Sequence, residues 1–328
     1  MSGLNGLAEP LHRVWKVPRL KVADLRDYGI VVSFVTLFLI LTFTSNVFLT
    51  RVNLLNILDQ NSDLGIVACG GTLVIIAGCF DLSVGAIFAL TGVVAAQLSA
   101  HMAPGLAFTL GALTGLGIGI CNGLLVTVGR MNPLVATLGS ALVISGLAVV
   151  MTSGMLVTVT QTSFSSLGQG TVLGIKYSII MWGVFALTCG ILLSRTVFGR
   201  YIYASGGNPL AARLSGVRVG NVRIVAYAIS GLSAGLAGVL VASRVSTGEA
   251  DTGASLPLSA IAAIVIGGTS ILGGEGAIWR TILGVLMLAL IGNGFDLLGV
   301  NPIYQQILQG GIILTAVGVD AWARVRTD

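Results

Sequence analysis

Side chains that could do chemistry are few and scattered in this 328-residue sequence. Its two histidines, His12 and His101, lie far apart, and its four cysteines lack the close pairing of a metal knuckle or a redox motif. Each cysteine falls in or beside an apolar run, where a free cysteine packs as a small hydrophobic residue. The cysteines are Cys69, Cys79, Cys121 and Cys189. No metal centre, catalytic triad or carboxylate pair can be assembled from this set, so we predict a protein that is not an enzyme and binds no metal.

The lysines do not provide the usual device for ATP hydrolysis. None of the three, Lys16, Lys21 and Lys176, lies in the Gly-x4-Gly-Lys frame of a phosphate-binding loop. The glycine-rich stretch 267–276 has neither the lysine nor the preceding strand of such a loop, and we interpret it as a tight turn between helices. We therefore predict that the chain does not hydrolyse ATP by this device.

Ion-coupled carriers usually need ionisable residues within their membrane helices. The candidates here are Asp81, Asp296 and Asp320, and each lies at or near the end of an apolar run. Asp81 precedes Leu-Ser-Val-Gly, and we interpret it as the N-cap of the next helix, with a substrate or ion contact as the alternative. Asp320 is interpreted as an anchor at the membrane surface. The sequence therefore does not favour an ion-driven carrier.

The most concentrated charge is the polar interval 195–223, which has no Asp, Glu or Lys. It contains five arginines, Arg195, Arg200, Arg213, Arg218 and Arg223. Within it, Gly-Gly-Asn-Pro at 206–209 forms a turn before Leu-Ala-Ala-Arg-Leu, which predicts a short helix that begins at the proline. Such a helix can dock into a groove on a partner protein. A surface helix whose arginines bind anionic lipid is the alternative.

The rest of the chain is strongly apolar. Apolar residues make up 55% of it and charged residues only 9%, and the 46 glycines fall mostly inside apolar runs. No soluble globular domain of this size has such a composition, so we predict an all-α integral membrane protein. The net charge of +5 then reflects loops beside the membrane, and nucleic acid is not an expected partner.

Apolar runs of about 20 residues, the length of one membrane crossing, predict ten spans. They lie near 28–45, 62–79, 84–100, 105–128, 133–152, 176–194, 222–244, 255–271, 279–298 and 303–320. The second and third spans are separated only by residues 78–85, which we interpret as a tight turn or an unwound segment. Ten spans divide into two halves of five with opposite orientation, so an inverted repeat is a hypothesis.

The distribution of Lys and Arg predicts the orientation. With the N-terminus in the cytoplasm, cytoplasmic segments carry fourteen Lys and Arg residues and the other side carries three. Those three are Arg51, Lys176 and Arg244. We expect a cytoplasmic tail without a signal peptide (1–27), one transmembrane domain (28–320) with a cytoplasmic loop (195–223), and a cytoplasmic tail (321–328). Both termini would then face the cytoplasm of a cell with this protein in its inner membrane.

The fourth span carries a glycine at every fourth position. Gly111, Gly115, Gly119 and Gly123 form three overlapping GxxxG steps on one helix face. Such a face lets another backbone approach closely. We expect it to pack within the chain, with a subunit interface as the alternative.

Six stretches together resemble the permease subunits of bacterial ABC importers for monosaccharides of the ribose, xylose and arabinose type. The resemblance covers about residues 50–320. The stretches are NLLNILDQ (53–60), GTLVIIAGCFDLSVGAIFALTG (71–92), MNPLVATLG (131–139), GRYIYASGGNPLAARLSGV (199–217), AIAAIVIGGTSILGGEGAI (260–278) and NGFDLLGVNPIYQQILQGGIILTAVGVD (293–320).

The resemblance implies a ten-span permease of the type II importer kind that pairs with a second permease. Two cytoplasmic ATPase subunits would bind ATP and Mg and dock on the loop, and a periplasmic sugar-binding protein would deliver the substrate. The expected coupling residues are Arg200, Gly206, Gly207, Asn208, Pro209, Ala212, Arg213 and Leu214. This chain has Leu210 where relatives commonly carry an acidic residue, which removes a polar contact to the ATPase.

A sugar path needs polar groups in otherwise apolar spans, because hydroxyls that lose water without gaining partners are costly. The candidates are Asn61, Thr72, Asp81, Thr137, Ser140, Asn293 and Gln305. On the outer side, Arg244, Glu249 and Asp251 could steer the binding protein, or they could be solvated loop residues.

Three other functions remain as alternatives. An ABC permease for branched-chain amino acids or nucleosides shares the broad architecture. A secondary ion-coupled carrier needs buried coupling residues, and a membrane enzyme needs a catalytic constellation; neither set is found in the sequence.

Overall fold

The computed structural model describes residues 22–301 and the single positions 303, 304, 307, 310, 311 and 314, with side chains described from residue 29 onward. The described chain is mainly helical. The helices are α1 (Val22–Thr44), α2 (Arg51–Gln60), α3 (Ser62–Ile76), α4 (Val84–Leu98), α5 (Pro104–Thr127), α6 (Pro133–Thr152), α7 (Ser166–Gln169), α8 (Tyr177–Arg195), α9 (Val197–Gly207), α10 (Pro209–Leu214), α11 (Val219–Val245), α12 (Leu256–Ile266) and α13 (Ile278–Leu297). A 3-10 helix, Thr162–Ser165, precedes α7.

Five of these helices, α5, α6, α8, α11 and α13, are long and apolar enough to cross a membrane. Residues 29–44 of α1 and the helices α3, α4 and α12 are shorter apolar helices. Each of these nine helices coincides with one of the first nine predicted spans. The predicted tenth span, 303–320, and the terminal tails lie largely outside the described residues. The chain is therefore a helical membrane protein.

Two elements were not expected from the sequence. One is the short helix α2, where the Thr50 hydroxyl accepts a hydrogen bond from the Asn53 N–H at 3.3 Å and so caps the helix start. The other is the segment 153–176, which contains strands β1 (Val157–Thr158), β2 (Thr171–Val172) and β3 (Ile175–Lys176). Strand β1 pairs antiparallel with β4 (Thr247–Gly248), and β2 pairs with β3. We call this end of the bundle the strand end, and the opposite end, which carries α9 and α10, the α10 end.

The predicted break between the second and third spans is an unwound segment, because α3 ends at Ile76 and α4 begins at Val84. Ser83, and not Asp81, occupies the N-cap position of α4, although the Asp81 carboxylate accepts from a free backbone N–H at the helix start, as the capping interpretation predicts. The buried Asp81 carboxylate accepts from the Ser83 N–H (3.1 Å) and hydroxyl (2.5 Å), and from the Ser230 hydroxyl of α11 (2.8 Å). The Asn122 amide of α5 donates to the Ser83 hydroxyl at 2.8 Å. Non-helical backbone in a membrane protein requires such partners, so this cluster fixes the unwound segment to two long helices.

The glycine face of α5 packs against α11, as the in-chain interpretation predicts. A Cβ atom on Gly115 would lie 2.4 Å from the Gly231 carbonyl oxygen, and one on Gly119 would lie 2.3 Å from the Tyr227 carbonyl oxygen. From the other side, a Cβ atom on Gly231 would lie 2.3 Å from the Gly115 carbonyl oxygen. These approaches leave no room for any side chain, so the two backbones are in direct contact. We call this contact the α5–α11 seam.

We expect Gly119→Ala to destabilise the protein by about 1–3 kcal/mol, the usual cost of overpacking a well-packed interior. The measurement is thermal unfolding of the purified protein in detergent. Gly117 is the matched control on the same helix, because it is exposed and a Cβ atom there would meet nothing within 4 Å. Gly117→Ala is expected to leave the melting temperature unchanged or slightly raised, since alanine favours helix more than glycine does. Equal melting of the two variants would contradict the seam.

Burial of the cysteines follows expectation for three of the four. Cys69, Cys79 and Cys189 are buried, whereas Cys121 is exposed on α5. Cys121 was expected in the core because it lies in an apolar run, but its position on the helix places it away from the seam. An apolar run of a membrane helix contains both protein-facing and lipid-facing residues, so hydropathy alone does not separate the two.

Candidate functional site

Helix α10 begins where the sequence predicts. Pro209 is its first residue, and the Asn208 side-chain oxygen accepts a hydrogen bond from the Ala211 N–H at 3.0 Å, which caps the helix. The Gly-Gly-Asn turn is corrected, because Gly206 and Gly207 are the last two residues of α9. Two short helices therefore meet at Asn208.

The exposed surface of this helix pair is partly apolar. Leu210 and Leu214 are 69% and 83% exposed, while Ala212 is buried against the protein. Arg200 and Arg213 are also exposed. Leucines beside arginines form a surface with both apolar and positively charged contacts, and Leu210 adds to its apolar part.

The C-terminal end of α9 is in backbone contact with two other segments. A Cβ atom on Gly206 would lie 1.8 Å from the Ile76 carbonyl oxygen at the end of α3. The Gly274 N–H, in the turn between α12 and α13, donates to that same oxygen at 2.9 Å. Gly273 and Gly274 have φ of +89° and +76°, which glycine adopts without strain. We call this contact of Ile76, Gly206 and Gly274 the glycine clamp.

Two side chains reinforce the glycine clamp. The Tyr203 hydroxyl donates to the Gly276 carbonyl oxygen at 2.7 Å, and burial raises the pKa of that hydroxyl, so it keeps its proton. The Arg223 Nε–H donates to the Ala77 carbonyl oxygen at 3.4 Å. The stretch 267–276 is thus the predicted turn between helices. A movement of α9 and α10 would be transmitted directly to α3, α12 and α13.

At the strand end, charged side chains gather around Asp59, the penultimate residue of α2. Its carboxylate, 5% exposed, accepts from Lys176 Nζ at 2.5 Å and from the Ser178 hydroxyl at the start of α8. Arg244, near the end of α11, donates through Nη2 to the Asp59 carbonyl oxygen at 2.9 Å and to the Ser62 hydroxyl at 3.1 Å. We call these residues the Asp59 cluster. It joins α2 to the ends of α8 and α11.

Of the three residues predicted to contact a binding protein, one is paired within the chain and two are exposed. Arg244 forms a hydrogen bond and an ion pair with Asp59, so the interpretation of Arg244 as a free docking charge is corrected. Glu249 and Asp251 are exposed at the strand end, and Glu249 accepts a hydrogen bond from the Thr252 hydroxyl at 3.1 Å.

The predicted pathway residues that the structure describes lie on several different elements. Thr72 of α3 shares a hydrogen bond of 2.7 Å with Thr281 of α13, and Thr137 of α6 accepts from the Leu82 N–H at 3.2 Å. Ser140 is half-buried on α6. Thr72 thus joins α3 to α13, and Thr137 and Asp81 join the unwound segment to neighbouring helices. Gln305 lies outside the described residues.

Asn61 and Asn293 do come together, because both line one cavity of about 260 Å³ between α2 and α13. Asn53, Asn56, Gln60 and Asp296 line the same cavity. Asn53, Asn56 and Gln60 were not among the predicted site residues, because they lie outside the predicted spans. Within the part of the chain that the structure describes, no group of three His, Cys, Asp or Glu residues could hold a metal ion.

Comparison with known proteins identifies relatives over most of the chain. Residues 53–317 match the family described as branched-chain amino acid transport system, permease component. The chain is 40% identical over 307 residues to ribose import permease protein RbsC of Escherichia coli K12, covering 91% of this chain and 94% of the relative. It is 41% identical over 287 residues to RbsC of Bacillus subtilis 168, covering 87% and 89%.

A relative named for another sugar is nearly as similar. The chain is 38% identical over 297 residues to L-arabinose ABC transporter permease protein AraH of Azospirillum brasilense, covering 90% of this chain and 88% of the relative. No solved structure matches the chain significantly. The relatives are transport components and not enzymes, as the sequence predicts. With its helical membrane fold and these matches over most of its length, the chain belongs to the ABC transporter permease family that includes the ribose import permeases.

Proposed function

We propose that this chain is the membrane-spanning permease subunit of an ABC importer for a monosaccharide, a ribose-like pentose or a related hexose or polyol. The observation that carries the proposal is the 40% identity to a ribose import permease over nine-tenths of the chain. The family description names branched-chain amino acids. The three relatives described above are named for ribose and L-arabinose, and their names favour a sugar.

The chain works with partners that supply energy and substrate. ATPase subunits bind ATP and Mg and dock on α9 and α10, where Arg200, Arg213 and the exposed leucines form the contact surface. A second permease, a copy of this chain or a close homologue, completes the passage. A periplasmic sugar-binding protein docks at the strand end, near Glu249 and Asp251. Support for this arrangement comes from the capped start of α10 and from the glycine clamp behind it.

The protein lies in the inner membrane of the cell. Its α10 end and both of its termini face the cytoplasm. Support comes from the arginines of 195–223, which match the side on which Lys and Arg accumulate. Ten spans in two inverted halves are part of the proposal. In each half an apolar helix, α3 or α11, is followed by a non-helical segment and then by a second apolar helix, α4 or α12. A Cβ atom on Gly85, at the start of α4, would lie 2.5 Å from the Gly253 carbonyl oxygen before α12, so the two short helices begin side by side.

Reconstitution in liposomes tests the proposal. The permease, its ATPase subunits and the binding protein are expected to take up labelled ribose only when ATP is supplied to the cytoplasmic side. Competition by unlabelled ribose, L-arabinose, leucine and a nucleoside then assigns the substrate class. Uptake by this chain alone on an ion gradient would contradict the proposal, and uptake of leucine without sugar would favour the amino acid alternative.

Charge reversal at Arg213 tests the docking surface. Arg213→Glu is expected to reduce ATPase activity stimulated by the binding protein at least about tenfold, because it replaces an attractive charge by a repulsive one at a docking surface. Arg213 is exposed in the last turn of α10, so the substitution leaves the fold intact. Arg51→Glu changes an exposed charge at the opposite end of the protein and is the control for ATPase docking: co-purification of the ATPase subunits is expected to weaken with Arg213→Glu and to stay unchanged with Arg51→Glu. Wild-type stimulation in Arg213→Glu would exclude this surface as the ATPase contact.

A further inference from the structure

The cavity between α2 and α13 has a lining that differs from the rest of this apolar chain. The α2 residues that line it recur with helical spacing, so they share one face, and the α13 residues do the same. The polar residues of the lining are Asn53, Asn56, Gln60, Asn61, Asn293 and Asp296. Five of these six are carboxamides. Four of the carboxamides lie on α2 or at its C-cap, and α13 contributes one carboxamide, Asn293, and one carboxylate, Asp296.

Hydrogen bonds hold one side of the cavity in place. The Asn53 and Asn293 side chains donate to each other's oxygens at 3.1 and 2.9 Å, and the Asn53 amide also donates to the Phe48 carbonyl oxygen at 3.0 Å. The Asn61 amide donates to the Ile57 carbonyl oxygen at 2.8 Å. Within the described residues, no side-chain hydrogen bond is formed by Asn56 or Gln60, and both are exposed. The cavity therefore has a fixed side and two carboxamides available to a ligand.

We infer that this cavity is a binding site for a monosaccharide. The site would bind the sugar at the strand end before the sugar crosses the membrane. The inference rests on the proposed function and adds a location and residues to it. A carboxamide offers both a donor and an acceptor, as a sugar hydroxyl does, so the two groups pair in either sense. The cavity lining includes no Lys or Arg to pair with the carboxylate of a free amino acid. Its chemistry fits a neutral polyhydroxyl ligand better than a zwitterion.

The size of the cavity also fits. Its volume of about 260 Å³ equals that of about eight to nine water molecules, enough for a compact ligand of about ten to twelve non-hydrogen atoms. Helix α2 forms one wall of the cavity, and its Asp59 pairs with Lys176 and Arg244. Lys176 lies at the start of α8 and Arg244 near the end of α11, and these two helices flank α9 and α10 in the chain. A movement at the α10 end would thus reach the cavity through α8 and α11.

The first experiment removes the two available carboxamides in the assembled importer. Asn56→Leu/Gln60→Leu is expected to lower ribose uptake at least about fivefold, because loss of one ligand hydrogen bond costs about 1 kcal/mol. The ATPase activity stimulated by the binding protein is expected to persist, since neither residue lies at the α10 end. Asn56→Gln, which keeps a carboxamide, is expected to retain more uptake than Asn56→Leu. Wild-type uptake by the double variant would overturn the inference.

The second experiment measures occupancy without transport. Gly292 lines the cavity, and a Cβ atom there would meet nothing within 4 Å, so Gly292→Cys places a thiol in the cavity without disturbing packing. In a Cys121→Ser background, ribose is expected to slow the reaction of this thiol with a hydrophilic thiol reagent at least about threefold, and leucine is not. Gln161→Cys, exposed at the strand end, is the control whose rate ribose leaves unchanged.

The outcomes separate this inference from the proposed function. If the wild-type importer takes up ribose but ribose does not protect Gly292→Cys, the cavity site is wrong and the sugar importer stands. If the wild-type importer takes up no sugar of any class tested, the proposed function fails and the cavity assignment fails with it. Protection of Gly292→Cys by ribose, together with impaired uptake in the leucine variant, supports both.

Discussion

Gly206→Ala is expected to weaken the coupling of ATP hydrolysis to transport. An alanine Cβ at this position would lie 1.8 Å from the Ile76 carbonyl oxygen and 2.7 Å from the Gly274 nitrogen. Both neighbours are backbone atoms, so the end of α9 must move away from α3 and from the α12–α13 turn. An overpacked contact costs about 1–3 kcal/mol, which lowers the population of the clamped state relative to the unclamped state about 5- to 150-fold. Transport per ATP hydrolysed is therefore expected to fall at least about fivefold in the reconstituted complex.

The next residue along the chain provides the matched control. A Cβ atom on Gly207 would lie 3.7 Å from the Gly274 Cα, which is ordinary van der Waals contact. Gly207→Ala is therefore expected to keep near-normal transport although it makes the same chemical change one residue away. If both variants lose transport to the same extent, the loss comes from replacing any glycine at the end of α9. The close contact in the glycine clamp would then not be what couples the helices.

Asp59→Ala is expected to destabilise the protein by about 3 kcal/mol and to lower its melting temperature clearly. The substitution leaves Lys176 and Arg244 near each other without their shared carboxylate, and breaking a buried ion pair by removing one partner costs about 3–5 kcal/mol. The lower figure applies because Lys176 and Arg244 are 38% and 21% exposed, and water partly solvates them. Thermal unfolding in detergent is the measurement.

Two further variants show whether charge pairing is the cause. Asp251→Ala removes an exposed carboxylate at the same end of the protein, and we expect its melting temperature to match the wild type. In a double-mutant cycle, Asp59→Ala/Lys176→Ala is expected to cost less than the sum of the two single variants, since the second change removes a cation that the first leaves unpaired. Strict additivity would contradict direct pairing between Asp59 and Lys176.

Local signals made part of this structure predictable. The start of α10 could be predicted because a capping side chain and a proline act within four residues of each other, and Asn208 with Pro209 fulfils both roles. The long helices could be predicted because each apolar run specifies its own crossing. The α5 face could be predicted because a glycine at every fourth position lets another backbone approach that face closely.

Contacts between distant residues were not predictable in the same way. Asp59 meets Lys176 across 117 residues and Arg244 across 185, and the sequence gives no sign of which charges pair. Arg244 was therefore interpreted as a free outer charge. The helix α2 was missed because it is too short and too polar to register as a span. The carboxamides of α2 were not predicted as site residues for the same reason. Asn61 and Asn293 were predicted as residues of the sugar path because each is polar, but the sequence did not indicate that they lie together.

The α5–α11 seam also sets an order on synthesis in the cell. Helix α5 leaves the ribosome well before α11, since α6, α8 and the interval 195–218 lie between them in the chain. Until α11 is inserted, the glycine face of α5 has no backbone to pack against and must be held by lipid or by the insertion machinery. A nascent chain arrested before residue 219 is thus an incompletely packed intermediate, exposed to quality-control proteases and to wrong helix pairing. The chain can reach its native packing only after its seventh apolar helix has entered the membrane.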